Sequence, residues 1–328
     1  MDSLTALDPC LQEALRDLAP APATLSALPD AMGAILAEPL IFPHDMPPRP
    51  VALRDGFAVA SLDLTGASAG VPIPLAAPQR VSPADPLTPG TDAVLPVDGV
   101  EAGPAGWAAI RPVNPGQHVR RAGHDGRAGA VMAPAGTPVS ERLCLVAAQS
   151  GVTEARVRRP RVALDLPDPT QAIFARAFVT RLGAQLVDDA PHLIMRTVSD
   201  NRPCLALAPG ETGWLARVDA RLELRLPVRF DGMVAACLAL GLPALAALAG
   251  ASTRGLVRPL ARKLASALGM AELVLLTGQG PDWHPAPAGT LTLAALATAD
   301  AFAILPPDSE GLAAGTPLAG ISLSAPFG

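Results

Sequence analysis

Two short stretches set charged side chains beside glycine in a chain that is half apolar. VALRDGFAV, Val51 to Val59, places Arg54, Asp55 and Gly56 between apolar flanks, directly after the proline-crowded FPHDMPPRP. GQHVRRAGHDG, Gly116 to Gly126, carries Arg120, Arg121, His124 and Asp125. Read together, they resemble remnants of one polar site whose other half is missing. Guanidinium groups present paired N–H donors that suit a tetrahedral oxyanion. The carboxylates of Asp55 and Asp125 suit a hard divalent cation accompanying such an anion, and His124 can serve as a general base or ligand. The same residues also read as turns, because Asp-Gly is a common turn pair and surface arginines are ordinarily solvated. His44, His118, His192 and His284 have no comparable neighbour and read as structural or solvated.

The elements that must position these residues follow from periodicity. Leu7, Leu11, Leu15 and Leu18 fall on one helical face, with Asp8 expected as N-cap and Pro9 in the first turn. A second short helix is expected over Asp30 to Ala37, ending before Pro39. From about residue 43 to 140, prolines and glycines are dense and short strand-like runs recur (FAVA, AVLPV, WAAIR), which predicts a small β domain. SERLCLVAAQSGV then has helical spacing, capped by Ser140 and closed by Gly151. RVALDL, a helix capped by Asp168 and Pro169, and AQLV give the strand, helix, strand order of a parallel α/β layer. HLIMRTV and PCLAL are expected to extend that layer. The final apolar pieces, AFAILP and ISLSAP, predict a terminal β module.

Composition bounds the function. At 328 residues the chain exceeds one ordinary core. A net charge of −5 with 3% aromatics argues against a nucleic-acid binder. Lys263 is the single lysine, so the basic side chains are almost all arginine; this fits bidentate anion contacts or simply the codon usage of a GC-rich genome. Cys10, Cys144, Cys204 and Cys237 are widely spaced among apolar neighbours and read as reduced core residues, neither a disulfide framework nor a zinc site. The N-terminus has early acidic residues and no apolar signal core, which predicts a cytoplasmic protein. Met233 to Gly250 is long and uncharged enough to be scored as a membrane span, but alanine dominates it and Gly241 and Pro243 interrupt it, so a buried helix pair and no membrane are expected.

At Asp55-Gly56-Phe57-Ala58, after the proline-rich approach, and at Gly116, Arg120, Gly123, His124 and Asp125, the chain resembles the MoeA family, the molybdopterin molybdenumtransferases related to the gephyrin E domain. PGTDAVLPV and AGAVMAPAGTPVSERLCLVAAQSGVTEARVRRPRVAL follow the family's order, and the likeness is strongest from about 4 to 164. The resemblance implies a multidomain α/β chain. Residues 1–42 and 141–159 would form a discontinuous N-terminal domain, 43–140 an inserted β domain, 160–252 a shortened α/β domain of the MoaB/MogA type, and 253–328 a small C-terminal β domain. It further implies a homodimer whose site spans two chains, a molybdoenzyme or cofactor-biosynthesis partner, and hydrolysis of adenylylated molybdopterin with Mg2+ and insertion of molybdate. Asp55 and Asp125 would be the catalytic acids. Arg54, Gly56, Arg120, Arg121, His124, Pro209 and Gly210 would bind substrate, with the metal ligands unassigned.

Several landmarks depart from the family. Leu164 to Pro169 replaces a glycine-containing turn, and Arg196 to Pro203 replaces a glycine-rich loop, so no amide cradle for phosphate is expected. Ala208 stands for a lysine before Pro209 and Gly210. Pro227-Val228-Arg229-Phe230-Asp231-Gly232 replaces a loop opening a helix toward an anion. His124 stands for a glutamate, and Ser82-Pro83-Ala84 for a threonine-glycine-alanine turn. The expectation is therefore a degenerate or altered relative assisting cofactor binding or insertion, with an active transferase or a structural subunit as alternatives.

Overall fold

The computed structural model describes residues 4–103, 106–197 and 202–327. Its contacts divide the chain into two compact units. Met1–Pro39, Ala133–Cys144 and Thr153–Gly328 form one; Leu40–Met132 and Leu145–Val152 form the other. The whole is a mixed α/β fold with several sheets and few helices.

In the larger unit, four parallel strands and one antiparallel strand make a five-stranded sheet. The order is Gln185–Leu186, Arg161–Asp165, Leu193–Thr197, Arg221–Leu226 and Trp214–Val218, only the last pair being antiparallel. Val162, Leu193, Met195, Leu222 and Leu224 are wholly buried. The helix Pro169–Arg181 covers them with Ala175, Phe178 and Val179. Asp168 caps it, accepting a 2.8 Å bond from Thr170 N, the local pattern that its sequence announces.

Four expectations for this unit are corrected. The first helix is Leu7–Leu15 with Ala6 at the N-cap; Asp8 and Pro9 lie in its first turn and no side chain caps it. The expected helix over Asp30 to Ala37 is absent: turns run to Gly33, and Ile35–Leu36 is a strand because it pairs with Val157 and Arg158. A ladder partner far along the chain overrides the short helical pattern. PCLAL does not extend the α/β sheet either. Leu207–Ala208 pairs in parallel with Ala271 and Glu272 of the C-terminal sheet, while Ala206 N and Thr5 O bond at 2.8 Å.

The apolar run near 240 is one continuous helix, Phe230–Ala249, most of it buried, not a helix pair. It is long and apolar enough to cross a membrane by composition, yet its surface is already covered by protein. It passes through a π-helical turn, Cys237–Gly241, and ends on Gly250 in the left-handed conformation. The C-terminal sheet of six strands runs Leu207–Ala208, Ala271–Gln279, Ala301–Leu305, Pro317–Ser322, Gly255–Pro259, with Asp282–Pro285 paired to Ala271–Gln279.

The smaller unit is built of short strands. Gly56–Val59 lies between Gln79–Val81 and Ala93–Pro96, and Val51–Ala52 pairs with Val119–Arg120. Phe57, Val59, Leu64, Ala93 and Leu95 form its core, with the Phe57 and Trp107 rings 5.6 Å apart.

Candidate functional site

Arg54 and Asp55 occupy the exposed bend between Val51–Ala52 and Gly56–Val59. The bend must be followed by glycine for a packing reason. A Cβ on Gly56 would sit 2.3 Å from the Leu95 carbonyl oxygen of the neighbouring strand. Gly56 is buried, so the structure assigns it close strand approach and leaves Asp55 to face solvent. Asp55 Oδ1 accepts a 2.8 Å bond from Ser82 Oγ. Ser82 is fixed in turn, its N–H donating 2.8 Å to Asp85 Oδ2. Nothing in the sequence announced the Asp55 partner; only the Ser82 to Asp85 turn spacing was local.

Arg120 ends the strand Val119–Arg120, and Arg121 to Asp125 form exposed turns after it. Arg120 Nη1 bonds Asp125 Oδ2 at 3.1 Å. The antiparallel register, Ala52 with Val119 and Val51 with Arg120, sends the two motifs to opposite ends of this short ladder. Leu53 N donates to His118 O, whereas Asp125 N donates to Met46 O, each at 2.8 Å.

Two shallow cavities flank the ladder, each about 360 Å3. One is lined by Leu53, Val119, Arg120, Arg121 and His124. The other is lined by Leu53, Arg54, Asp55, Pro83, Val97 and Asp98. Leu53 is their common wall. The arginines and His124 are thus gathered in one cavity, Arg54 and Asp55 in the next, and the carboxylates of Asp55 and Asp125 keep separate partners. Asp98 also lines the second cavity; the hydrogen-bonded Arg111 guanidinium, 2.5 Å away, holds its carboxyl below the usual range, and Arg54 adds to the effect. Among the described residues, no group of three or more His, Cys, Asp or Glu is placed to hold a metal ion. The described residues alone do not make a carboxylate cage for magnesium.

The residues expected on the α/β side lie in the larger unit. Pro209 and Gly210 are buried. Gly210 has φ +130°, which favours glycine, and its N–H donates 3.1 Å to Glu211 Oε2. Ligands of open α/β sheets bind beyond the carboxyl ends of the strands, and here those ends are occupied from within. Buried Gln171 donates through Nε2 to Val228 O at 2.7 Å and accepts from Thr197 Oγ1 at 2.6 Å. Arg196 Nη2 lies 3.7 Å from Asp165 Oδ2 across neighbouring strand ends. Of the stretch Arg196 to Pro203, residues 198–201 lie outside the described residues.

The start of the buried helix is closed in the same manner. Its N-cap is Arg229. The buried carboxylate of Asp231 accepts from Gly232 N at 2.8 Å and from Arg229 Nε at 3.1 Å, with a second short contact from Arg229 Nη2 to Oδ2. A helix N-terminus favours negative charge, and Asp231 supplies that charge internally.

Residues 6–151 match the family model for the MoeA N-terminal region, domains I and II. That N-terminal part of the chain is similar to the MoeA family. Over 145 residues it is 26% identical to molybdopterin molybdenumtransferase 2 of Mycobacterium tuberculosis, in strains CDC 1551 / Oshkosh and ATCC 25618 / H37Rv. That match covers 39% of this chain and 36% of the relative, so it spans about a third of the curated protein's length. The MoeA fold extends further than the sequence match. The molybdopterin biosynthesis MoeA protein of Pyrococcus horikoshii OT3 superposes with a TM-score of 0.77, covering 97% of this chain and 99% of that chain at 19% identity. A molybdenum cofactor biosynthesis protein of Pyrococcus furiosus gives a TM-score of 0.61 at 17% identity over 97% and 98%. At such identities the likeness speaks for the fold.

Proposed function

We propose that this chain acts in molybdenum cofactor biosynthesis as an altered member of the MoeA family, one that binds cofactor or its oxyanion substrate and assists insertion without running the transferase reaction. The observation carrying this reading is the Arg229–Asp231 pair at the start of the buried helix. A phosphate-bearing pterin brought there would meet a buried carboxylate in place of free amides, and like charges at close range in a partly desolvated site repel. The Gln171 network closes the neighbouring strand ends. The arginines of the smaller unit remain exposed and suited to an oxyanion such as molybdate. A homodimer in the cytoplasm, working beside a molybdoenzyme or a cofactor-biosynthesis protein, completes the proposal.

Purified protein incubated with adenylylated molybdopterin and molybdate, with and without Mg2+, tests it. The expected result is retention of pterin or molybdate on gel filtration with no AMP release. AMP release that Asp55→Ala abolishes would establish an active transferase instead. Neither binding nor turnover would leave a structural subunit built on the same scaffold.

A further inference from the structure

A cavity larger than these two lies on the C-terminal sheet of the larger unit. Its volume is about 970 Å3, and three arginines line it: Arg181, Arg254 and Arg258. In a chain whose net charge is −5, this is a local excess of positive charge. Among the described residues, none of the three has a carboxylate within ion-pair distance. The acid in the lining, Asp300, is spent on the backbone, its Oδ2 accepting from Gly278 N at 2.8 Å.

Two of the guanidinium groups are held by aromatic rings, not by a counter-ion. Arg258 lies over the Trp283 ring, 4.6 Å from its centroid. Trp283 is buried and anchored through Nε1 to Leu256 O at 3.3 Å and Leu318 O at 3.2 Å. It packs closely on Gly320, where a Cβ would stand 2.9 Å from the indole. Arg254 is exposed, but its backbone is tied to Pro326 O at 2.9 Å beside the Thr253–Phe327 bridge. Arg181 ends the helix Pro169–Arg181, 5.7 Å over the Phe178 ring, and partial desolvation draws its pKa down although the residue keeps an exposed surface. Arginine stays charged regardless, so the charge of an anion entering the cavity would offset the cost of that desolvation.

We infer that this cavity is a binding site for a small polyanion carrying phosphate or carboxylate groups, gripped by Arg181, Arg254 and Arg258. The hydroxyls of Ser322 and Ser324, 3.1 Å apart on the same wall, offer further donors to its oxygens. The two stacked guanidinium groups, of Arg181 and Arg258, lose little freedom on binding and suit planar, bidentate oxyanions. This site is independent of the proposal for the MoeA-type residues, and neither depends on the other.

Calorimetric titration of the full chain at low salt, with pyrophosphate and with citrate, tests the inference. The expected result is binding of at least one probe, at one site per chain. Removing one charged contact should weaken it roughly tenfold, and added salt should weaken it further. Arg254→Gln is the primary variant, because that side chain is exposed and its loss leaves the sheet intact; Arg258→Gln is checked by its unfolding curve before titration. Pyrophosphate binding alone would assign phosphate chemistry, citrate binding alone carboxylate chemistry. Failure of both probes, or affinity unchanged in Arg254→Gln and Arg181→Gln, would overturn the inference.

Discussion

Ser82 Oγ reaches across 27 positions of sequence to donate a 2.8 Å hydrogen bond to Asp55 Oδ1. The most conspicuous acid of the smaller unit is therefore oriented by a turn from another hairpin, and the pair is exposed enough that water competes for both partners. Ser82→Ala and Asp55→Ala should each lower stability by no more than about 1 kcal/mol, with a similar coupling in the double mutant. Urea unfolding of the four proteins in the cycle measures this. If Asp55 also holds a cation that accompanies an oxyanion substrate, Ser82→Ala will weaken substrate binding without a matching loss of stability.

Gly56 should behave differently from its neighbour. A methyl group placed 2.3 Å from the Leu95 carbonyl oxygen cannot be accommodated by rotating a side chain, since the obstacle is backbone. Gly56→Ala is expected to cost about 3 kcal/mol, at the upper end for overpacking. A denaturation midpoint close to that of the parent protein would refute the close approach.

At the base of the parallel sheet, Arg161 N donates 2.9 Å to His192 Nδ1 and His192 N donates 2.8 Å to Arg161 O. Burial, with the Arg161 charge adding to it, pushes the His192 pKa below its ordinary value of 6.5. The unfolded chain thus takes up this proton first as pH falls. Stability from the neutral ring is full above about pH 6.5 and declines below it, toward the folded value. His192→Gln should flatten the fall in stability between pH 7 and 5 in guanidinium titrations. An unchanged slope would show that another group titrates there; Asp98, held below its ordinary 3.8, acts only at lower pH.

Asp231→Asn removes the charge at the start of the buried helix while nearly preserving its shape. The loss of a buried, charge-assisted contact at a helix N-terminus should cost about 1–2 kcal/mol. If the internal carboxylate is what excludes phosphate, the variant should also gain thermal stabilisation from added phosphate that the parent lacks. Equal phosphate responses in the two proteins would remove this carboxylate as the barrier.

What could be read from sequence was what is local in space. Asp168 capping Thr170, and Arg120 meeting Asp125 five positions on, both depend on a few consecutive residues. The mixed α/β fold was legible through alternating strand and helix patterns. Leu207–Ala208 was not, because a two-residue strand takes whichever edge the chain presents, and the edge offered is Ala271. Asp30 to Ala37 has helical composition but surrenders its amides to a distant strand. The Ser82–Asp55 and Gln171–Val228 bonds were invisible for the same reason: their partners meet only after the sheets have formed.

The π-helical turn at Cys237–Gly241 makes the buried helix a spliced object. Leu242 N bonds Cys237 O, one residue further back than in an α-helix, so a single extra residue is stored inside the core. Each residue turns an α-helix by about 100°, and the stored one sets the phase of everything from Leu242 to Ala249. Deleting a residue here would restore a regular ladder, yet it would rotate the apolar second half out of register with the walls that enclose it. Insertions and deletions that loops absorb without harm would thus be mis-threaded at this spot, and the helix length is locked by its irregularity.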